Sequence, residues 1–393
     1  MKLPLHRLTA AKSPFMPCIL SALPDQARLA PLTFAELDGF AAADHLEAFR
    51  VFAEHAKAIV KDRPPLRPAR AASCALKAVC RVALAQPVET GAAARRFFET
   101  HFRPYRVMPA AGSGFVTGYY EPIIAGALER SAEFTAPILA RPVDLVTLPP
   151  EARPAGLPPE LAAARRLTDG TLVPYPDRAE IEAGAGFRPL VWLADPVEVF
   201  LVQVQGSARV ILPDHRQIRL VYAGRNGHPY TSIGKMLIES GEIAASDMGL
   251  AALKAWIRTR GQKPGEAGAA LMHANRSYVF FAIDAELREE DGPIGGAGLP
   301  LSPLRSIAVD RSIWSYGLPF WLAADLPWER EEVTPFRRLM IAQDTGSAII
   351  GPARADIFFG SGGIAGALAG GIRHGCDFAV LLPRGEGGWR EAA

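Results

Sequence analysis

Glycine and proline cut the last third of the chain into short apolar runs, which favours many strands over a helical bundle. "SYVFFAI", "RSIAVDRSIW", "LPFWLAADL", "RRLMIAQDT", "ADIFFG" and "FAVLLPR" follow one another between residues 277 and 384. Such runs fit a closed barrel better than a parallel sheet of βαβ units, which would need long helices between them. The 36 Gly and 34 Pro among 393 residues point the same way.

The rest of the chain is read in segments. Residues 34–102 carry apolar side chains at three- and four-residue steps, among them Leu46, Phe49, Phe52, Ala56 and Ile59, and predict three helices. "SGFVTGYYEPIIAG" from Ser113 has the content of a strand ended by Pro122. The prolines of residues 141–160 predict an extended surface loop. Strands are expected at 189–194, 197–204, 207–212 and 217–223, then helices over "TSIGKMLIESGEI" and "DMGLAALKAWIRTRG". "GSGGIAGALAGG" is read as tight barrel turns, since no Lys-Ser/Thr follows to complete a phosphate cradle. The expected fold is mainly β with helices (α+β): two β-domains, the second and smaller one inserted into the other. Residues 31–120 and 277–393 are assigned to the first domain and 121–276 to the insert.

Charge and cysteine content narrow the partners. With 43 Lys+Arg against 41 Asp+Glu, the net charge of +2 gives no reason to expect nucleic acid. No window of about 18 uninterrupted apolar residues is present to span a bilayer. Lys2, Arg7 and Lys12 precede an apolar stretch that Pro17 breaks, a poor export signal. Residues 1–30 are accordingly expected to be a leading segment, disordered or the remnant of such a signal. Cys18, Cys74, Cys80 and Cys376 are read as free thiols; in a helix, Cys74 and Cys80 would stand about 9 Å apart in rise, too far to bridge.

Carboxylates are the chemical candidates. "DTGS" at Asp344–Ser347 suggests an aspartic protease, but that chemistry needs two such loops and the chain has one. There is no Gly-x-Ser-x-Gly elbow and no His-x-x-x-His or Cys-x-x-Cys pair, so neither a serine nucleophile nor a metal is expected. Asp310, Asp344 and Asp356 each end or interrupt an apolar run, where an unpaired charge is costly. Each could cap a turn or pair with a neighbour, as Asp310 could with Arg311 or Arg305. Asp356 is followed by Ile357, Phe358 and Phe359, whose desolvation, with Asp344 as a possible like charge, would raise its pKa and suit it to act as a general acid. Tyr119 and Tyr120 alternate across a strand, so one is free to stack on a ring. Gln203 and Gln205, two apart, would lie on one strand face as paired amide donors and acceptors. Thr117, Gly206 and Ser207 complete the candidate binding set.

Six blocks carry a family resemblance: "VTGYYEP", "VQVQGSARV", "YAGRNGHPYTSIGKMLIESGEI", "NRSYVFF", "GPIGGAGLPLSPLRSIAVDRSIWSYGLPFWL" and "QDTGSAIIGPARADIFFG". Together they resemble the membrane-bound lytic murein transglycosylase A family over about residues 30 to 385. The resemblance implies a double-psi β-barrel with a smaller inserted β-domain and a glycan groove between them. It also implies a three-aspartate domain at about 300–385, with Asp356 as the catalytic residue and Asp344 and Asp310 as its companions. Asp344 would hold the site in shape, tune Asp356, or bond the barrel's crossing loop. The implied reaction cuts the β-1,4 bond between N-acetylmuramic acid and N-acetylglucosamine in peptidoglycan and leaves a 1,6-anhydro end, with no metal or cofactor. An inverting glycoside hydrolase or a non-catalytic glycan-binding module is the alternative. A periplasmic or outer-membrane location, possible outer-membrane association and a monomeric state are expected with it. Glu239-Ser240 resembles a pair from lysozyme-like transglycosylases but lacks its companions, and is read as a helix end.

Overall fold

The computed structural model describes residues 27–148, 154, 156–284 and 291–385. Most of the expected leading segment lies outside these residues, but its last part does not: Ala27–Pro31 is strand β1, paired antiparallel with β2 at Phe102–Pro109. Between them run helices α1 (His45–Val60), α2 (Cys74–Ala85) and α3 (Gly91–His101), the three read from the apolar period. Each starts at a side chain that caps the helix: Asp44 accepts from the Glu47 amide, Ser73 from Leu76 and Thr90 from Ala93.

Strand β3 (Phe115–Glu121) leads into the middle of the chain. There follow β4 (Ile123–Ala125), β5 (Ala136–Leu139), β6 (Leu145–Thr147), β7 (Ala163–Arg166), β8 (Leu172–Pro174), α4 (Arg178–Ala183) and β9 (Pro189–Leu193). Next come α5 (Pro196–Gln205), β10 (Ser207–Ile211), β11 (Gln217–Arg225), α6 (Ile233–Glu239), α7 (Leu250–Thr259), α8 (Ala267–Ala274) and β12 (Val279–Asp284). The last leg holds β13 (Ser306–Val309), β14 (Pro319–Leu326), β15 (Thr334–Asp344), β16 (Arg354–Ser361), α9 (Gly363–Gly370), β17 (Arg373–Gly375) and β18 (Asp377–Pro383).

Both ends of the chain build one nine-stranded sheet, ordered β1-β2-β18-β14-β15-β13-β16-β3-β17. Within it, β13 runs parallel to β15 and β3 parallel to β16, while the remaining neighbours are antiparallel. The main core lies between this sheet and α1–α3. Phe49, Phe52, Phe97, Phe98 and Phe102 meet there edge to face or tilted, with ring centroids 4.9 to 6.4 Å apart.

The middle of the chain forms a second sheet, ordered β12-β11-β10-β4. Val279–Asp284 therefore pairs with β11 and not with the large sheet, against the expected boundary at 276/277. Residues 197–204 are helix α5 and not the expected strand. Val197, Val199, Phe200, Leu201 and Val202 are buried on nearly all sides, so no period distinguishes the two states. The ends decide it: Asp195 caps the first turn, Pro196 opens the helix, and Gly206 closes it at φ 83°. In the expected loop at 141–160, Leu145–Thr147 pairs with β7 and buries Leu145, so that loop is only partly irregular. The expected glycine turns are helix α9. The free-thiol reading holds for Cys80 and Cys376 but fails at Cys74, which is disulfide-bonded. Cys18 is outside the described residues.

One buried ion cluster joins the two sheets. Glu121, the last residue of β3, is fully buried and meets Arg209 of β10 at 2.7 Å and Arg219 of β11 at 2.9 Å. Ser361 Oγ donates to the same carboxylate at 2.6 Å. Removing the acid leaves two desolvated guanidinium groups. Glu121→Ala is expected to cost about 3–5 kcal/mol, read as a lower denaturation midpoint in urea, with Glu121→Gln losing less.

Candidate active site

Strand register assembles the site. Across β15, β13, β16, β3 and β17, one row of partners reads Asp344, Ala308, Asp356, Thr117 and Arg373. A register irregularity between Ile307 and Ala308 brings Asp344 into that row. Ala355 and Ile357 point into the main core, while Phe358, Tyr119, Ala308, Leu301 and Ile349 form a separate small cluster. Asp356, on the second face of β16, rises from the floor that this small cluster makes.

Thr117 Oγ1 donates to Asp356 Oδ1 at 2.5 Å and itself accepts from Arg354 Nη2 at 2.7 Å. Arg354 is kept in place by its own bond to the Ala355 carbonyl and by the Phe115 ring, 5.4 Å from its guanidinium carbon. Burial pushes the Asp356 carboxyl up from about 3.8 to about 6. The Arg354 charge and the Thr117 bond pull against that rise, and the Asp344 charge adds the smallest push upward. Asp356 is thus a carboxyl able to carry or release a proton near neutral pH.

Asp344 is held differently. It accepts from the Tyr119 hydroxyl at 3.0 Å and the Gly296 amide at 2.7 Å, and Arg67 Nη2 lies 3.7 Å away. Burial, then the Asp344 charge, lifts the Tyr119 phenol well above its ordinary value, so it remains a donor. Asp344 therefore braces the floor, and its effect on Asp356 is minor. Asp310 accepts from the Ser312 amide and hydroxyl and from the Gly351 amide, and so ties together the turns after β13 and before β16. The expected pairing of Asp310 with Arg305 or Arg311 is replaced by these bonds. Arg305 turns to Asp44 and the Leu339 carbonyl, and Arg311 to the Pro68 carbonyl.

Above Asp356 lies a cavity of about 380 Å³ between the two sheets, with a second of about 210 Å³ beside it. Thr117, Tyr119, Gln203 and Gln205 line the larger one, and Tyr120 and Gln205 the smaller. The two tyrosines do divide across the strand: Tyr119 is buried and Tyr120 is partly exposed. The two glutamines do not share a strand face, because they belong to α5. Gln205 accepts from the Tyr120 amide at 3.1 Å, while the Gln203 amide is buried beside the Tyr278 hydroxyl. Gly206 and Ser207 line neither cavity: one ends α5 and the other starts β10.

Several wall residues escaped the sequence reading. Arg354 and Arg373 gave no pattern. Tyr230, between the expected strand at 217–223 and the helix that follows, lines both cavities, and the loop Gly346–Ile349 closes one side of the larger. Arg178 reaches the wall from α4, donating to the Asn275 and Ser277 carbonyls and pairing with Glu182 at 3.1 Å. Among the described residues, Asp356 is the only carboxylate in either wall.

The chain matches two families in succession: the MltA specific insert domain over residues 115–282 and the 3D domain over residues 305–382. It is similar to the crystal structure of a membrane-bound lytic murein transglycosylase from Agrobacterium tumefaciens. That likeness has 34% identity, covers 91% of this chain and 98% of that one, and gives a TM-score of 0.81. The Escherichia coli MltA structure with bound chitohexaose is 26% identical over 92% of this chain and 94% of its own, with a TM-score of 0.61. In sequence, membrane-bound lytic murein transglycosylase A of Escherichia coli K12 is 34% identical over 267 residues. That alignment spans 66% of this chain and 62% of the relative's length.

The raised carboxyl at Asp356 has a consequence for stability. Folded and unfolded chains are both protonated there below about pH 3.8, so no penalty exists. As pH rises toward about 6 the unfolded chain ionises first and stability falls, and above that the loss is complete. A pKa moved across that interval corresponds to up to about 3 kcal/mol. Asp356→Asn is expected to stabilise the protein by up to that amount at pH 8 and by little at pH 3.5, as urea melts at the two pH values would show.

Proposed function

The chain belongs to the membrane-bound lytic murein transglycosylase A family, and from that premise we propose that it cleaves the β-1,4 bond between N-acetylmuramic acid and N-acetylglucosamine in peptidoglycan, leaving a 1,6-anhydro end. The observation that carries this reading is the solitary carboxylate. A glycosidase that uses water or a covalent intermediate needs a second one across the scissile bond. Asp344, the nearest acid in the strand row, is committed to Tyr119, Gly296 and Arg67 and lines neither cavity.

With one acid, the sugar supplies its own nucleophile. Asp356 gives its proton to the glycosidic oxygen as the bond from C1 to that oxygen breaks. Its carboxylate then takes the proton of the C6 hydroxyl as O6 bonds to C1. The proton account closes with Asp356 protonated again and no water consumed. Thr117 holds one carboxylate oxygen, leaving the other for the sugar. Arg354, acting through Thr117, is a positioning residue that keeps the carboxyl's pKa from rising further.

The parallel pairs β13 with β15 and β3 with β16 support a double-psi barrel built from both chain ends. The second sheet then serves as the inserted glycan-binding domain, and the two cavities as a groove between them. The Escherichia coli relative's bound chitohexaose, a β-1,4-linked chain of N-acetylated sugars, supports a glycan there. Gln203, an amide in the wall of the larger cavity, is suited to an acetamido group, and Tyr120 to a sugar face. A disulfide at Cys74 suits an oxidising compartment, in keeping with work on the periplasmic side of the outer membrane, and monomeric action is part of the same reading.

Mass spectrometry of products from purified sacculi tests the reaction. Anhydro ends are expected; reducing ends would mean hydrolysis, and binding without cleavage a glycan-binding module. Asp356→Asn should lower kcat by at least about 100-fold while glycan binding persists. The limb of the pH–rate profile that falls with rising pH should lie near 6 in the native enzyme and move upward in Arg354→Gln.

A further inference from the structure

The smaller cavity is continuous with the larger, sharing Thr117, Gly118, Gln205, Tyr230 and Arg373. Its own wall is largely apolar, formed by Tyr120, Met248, Leu250, Leu253 and Ile372. The floor is built close: Tyr120 ring atoms lie 2.7 and 2.8 Å from where a side chain on Gly366 of α9 would begin, so only glycine fits under that ring.

Arg373 stands where the two cavities meet. It is the register partner of Thr117, which pairs on its other side with Asp356. The other arginines of these walls are committed: Arg178 to two carbonyls and Glu182, and Arg354 to Thr117 and the Ala355 carbonyl. The Arg373 side chain is exposed and, among the described residues, has neither an ion-pair nor a hydrogen-bond partner. Among the described residues, no acid lines the smaller cavity, and Asp356 is the one acid lining the larger.

A chain of N-acetylated sugars is neutral and gives a free guanidinium nothing to pair with. The anionic part of peptidoglycan is the substituent on muramic acid: a lactyl group extended by a short peptide with small side chains and carboxylates. We propose that the smaller cavity receives this peptide, its apolar wall taking the methyl groups and Arg373 binding a peptide carboxylate. The proposal rests on the peptidoglycan reading above. A guanidinium–carboxylate hydrogen bond of the usual strength is worth about a tenfold change in affinity or more.

Calorimetry in the Asp356→Asn background, which needs no turnover, tests it. The ligands are muramic-acid-containing oligosaccharides with the peptide intact, with its carboxylates amidated, and with the peptide removed to leave the lactyl carboxylate. Adding Arg373→Gln should weaken binding of the intact ligand about tenfold and that of the amidated ligand by much less. Adding Met248→Glu, which brings a like charge to the wall, should show the same ranking. Equal losses on all three ligands, or no loss on any, would overturn the proposal. A loss confined to the peptide-free ligand would also overturn it and assign Arg373 to the lactyl carboxylate. Failure of the active enzyme to form anhydro ends is a separate result and overturns the reaction reading alone.

Discussion

A β-strand presents its side chains to two faces in strict alternation, and in β16 both faces are engaged. Ala355 and Ile357 belong to the main core, whereas Asp356 and Phe358 face the other way, Phe358 within the small cluster that floors the cavity. A slip of one residue would bury the carboxyl in the core and expose the aliphatic groups. The register cannot slip without emptying the main core, so the position of Asp356 is set by side chains on the opposite face of its strand. The same lock fixes Thr117 in β3 and Ala308 in β13 as its neighbours. Ala308 keeps the row low between the two aspartates, and neighbouring strands stand about 4.8 Å apart, which leaves Asp344 and Asp356 two strand spacings from each other. At that distance their mutual repulsion is secondary to burial.

The two aspartates show how environment separates roles for one chemical group. Asp344 has two hydrogen-bond donors and a nearby guanidinium, and its oxygens are occupied. Asp356 has one short bond from Thr117 and otherwise loses water without full compensation, so its charged form is disfavoured. The first arrangement stabilises a fixed floor. The second leaves a carboxyl that trades protons, at a cost to folding that the surrounding core must offset.

Much of this was legible in the sequence where the local signal had one interpretation. The three early helices carried both period and caps, and the late strands carried length and punctuation, so both were found as elements, although Val279–Asp284 joins the second sheet and not the first. Asp356 stood out because apolar residues follow it directly. The failures came where the signal was shared between states. α5 is apolar around most of its circumference, a pattern equally compatible with a buried strand, and misreading it put Gln203 and Gln205 on one face. The glycines of α9 read as turns, whereas Gly366 is small because a tyrosine ring lies against it. Arg354 and Arg373 carried no local pattern, since their places in the cavity wall come from strand pairing with β3, far away along the chain. The companion role of Asp310 shrinks to bracing two turns, a distinction that only hydrogen-bond partners could reveal.

One face of β3 draws these threads together. Thr117, Tyr119 and Glu121 alternate along it at two-residue steps, about 7 Å apart. The first bonds Asp356, the second bonds Asp344, and the third holds the arginines of the second sheet. Gly360, at φ 105°, lies in the register irregularity that brings Ser361 opposite Glu121, where its hydroxyl completes the ion cluster. Acid, brace and inter-sheet joint are therefore set by a single backbone segment, without an intervening loop to absorb error. The cavity over Asp356 has walls from both sheets, and Glu121, two pleats along β3 from Thr117, ties those sheets together. An ion cluster is directional where apolar packing is not: Glu121 fixes Arg209 and Arg219 relative to β3, and with them the sheet beside the cavity that Gln203, Tyr230 and Asp356 line.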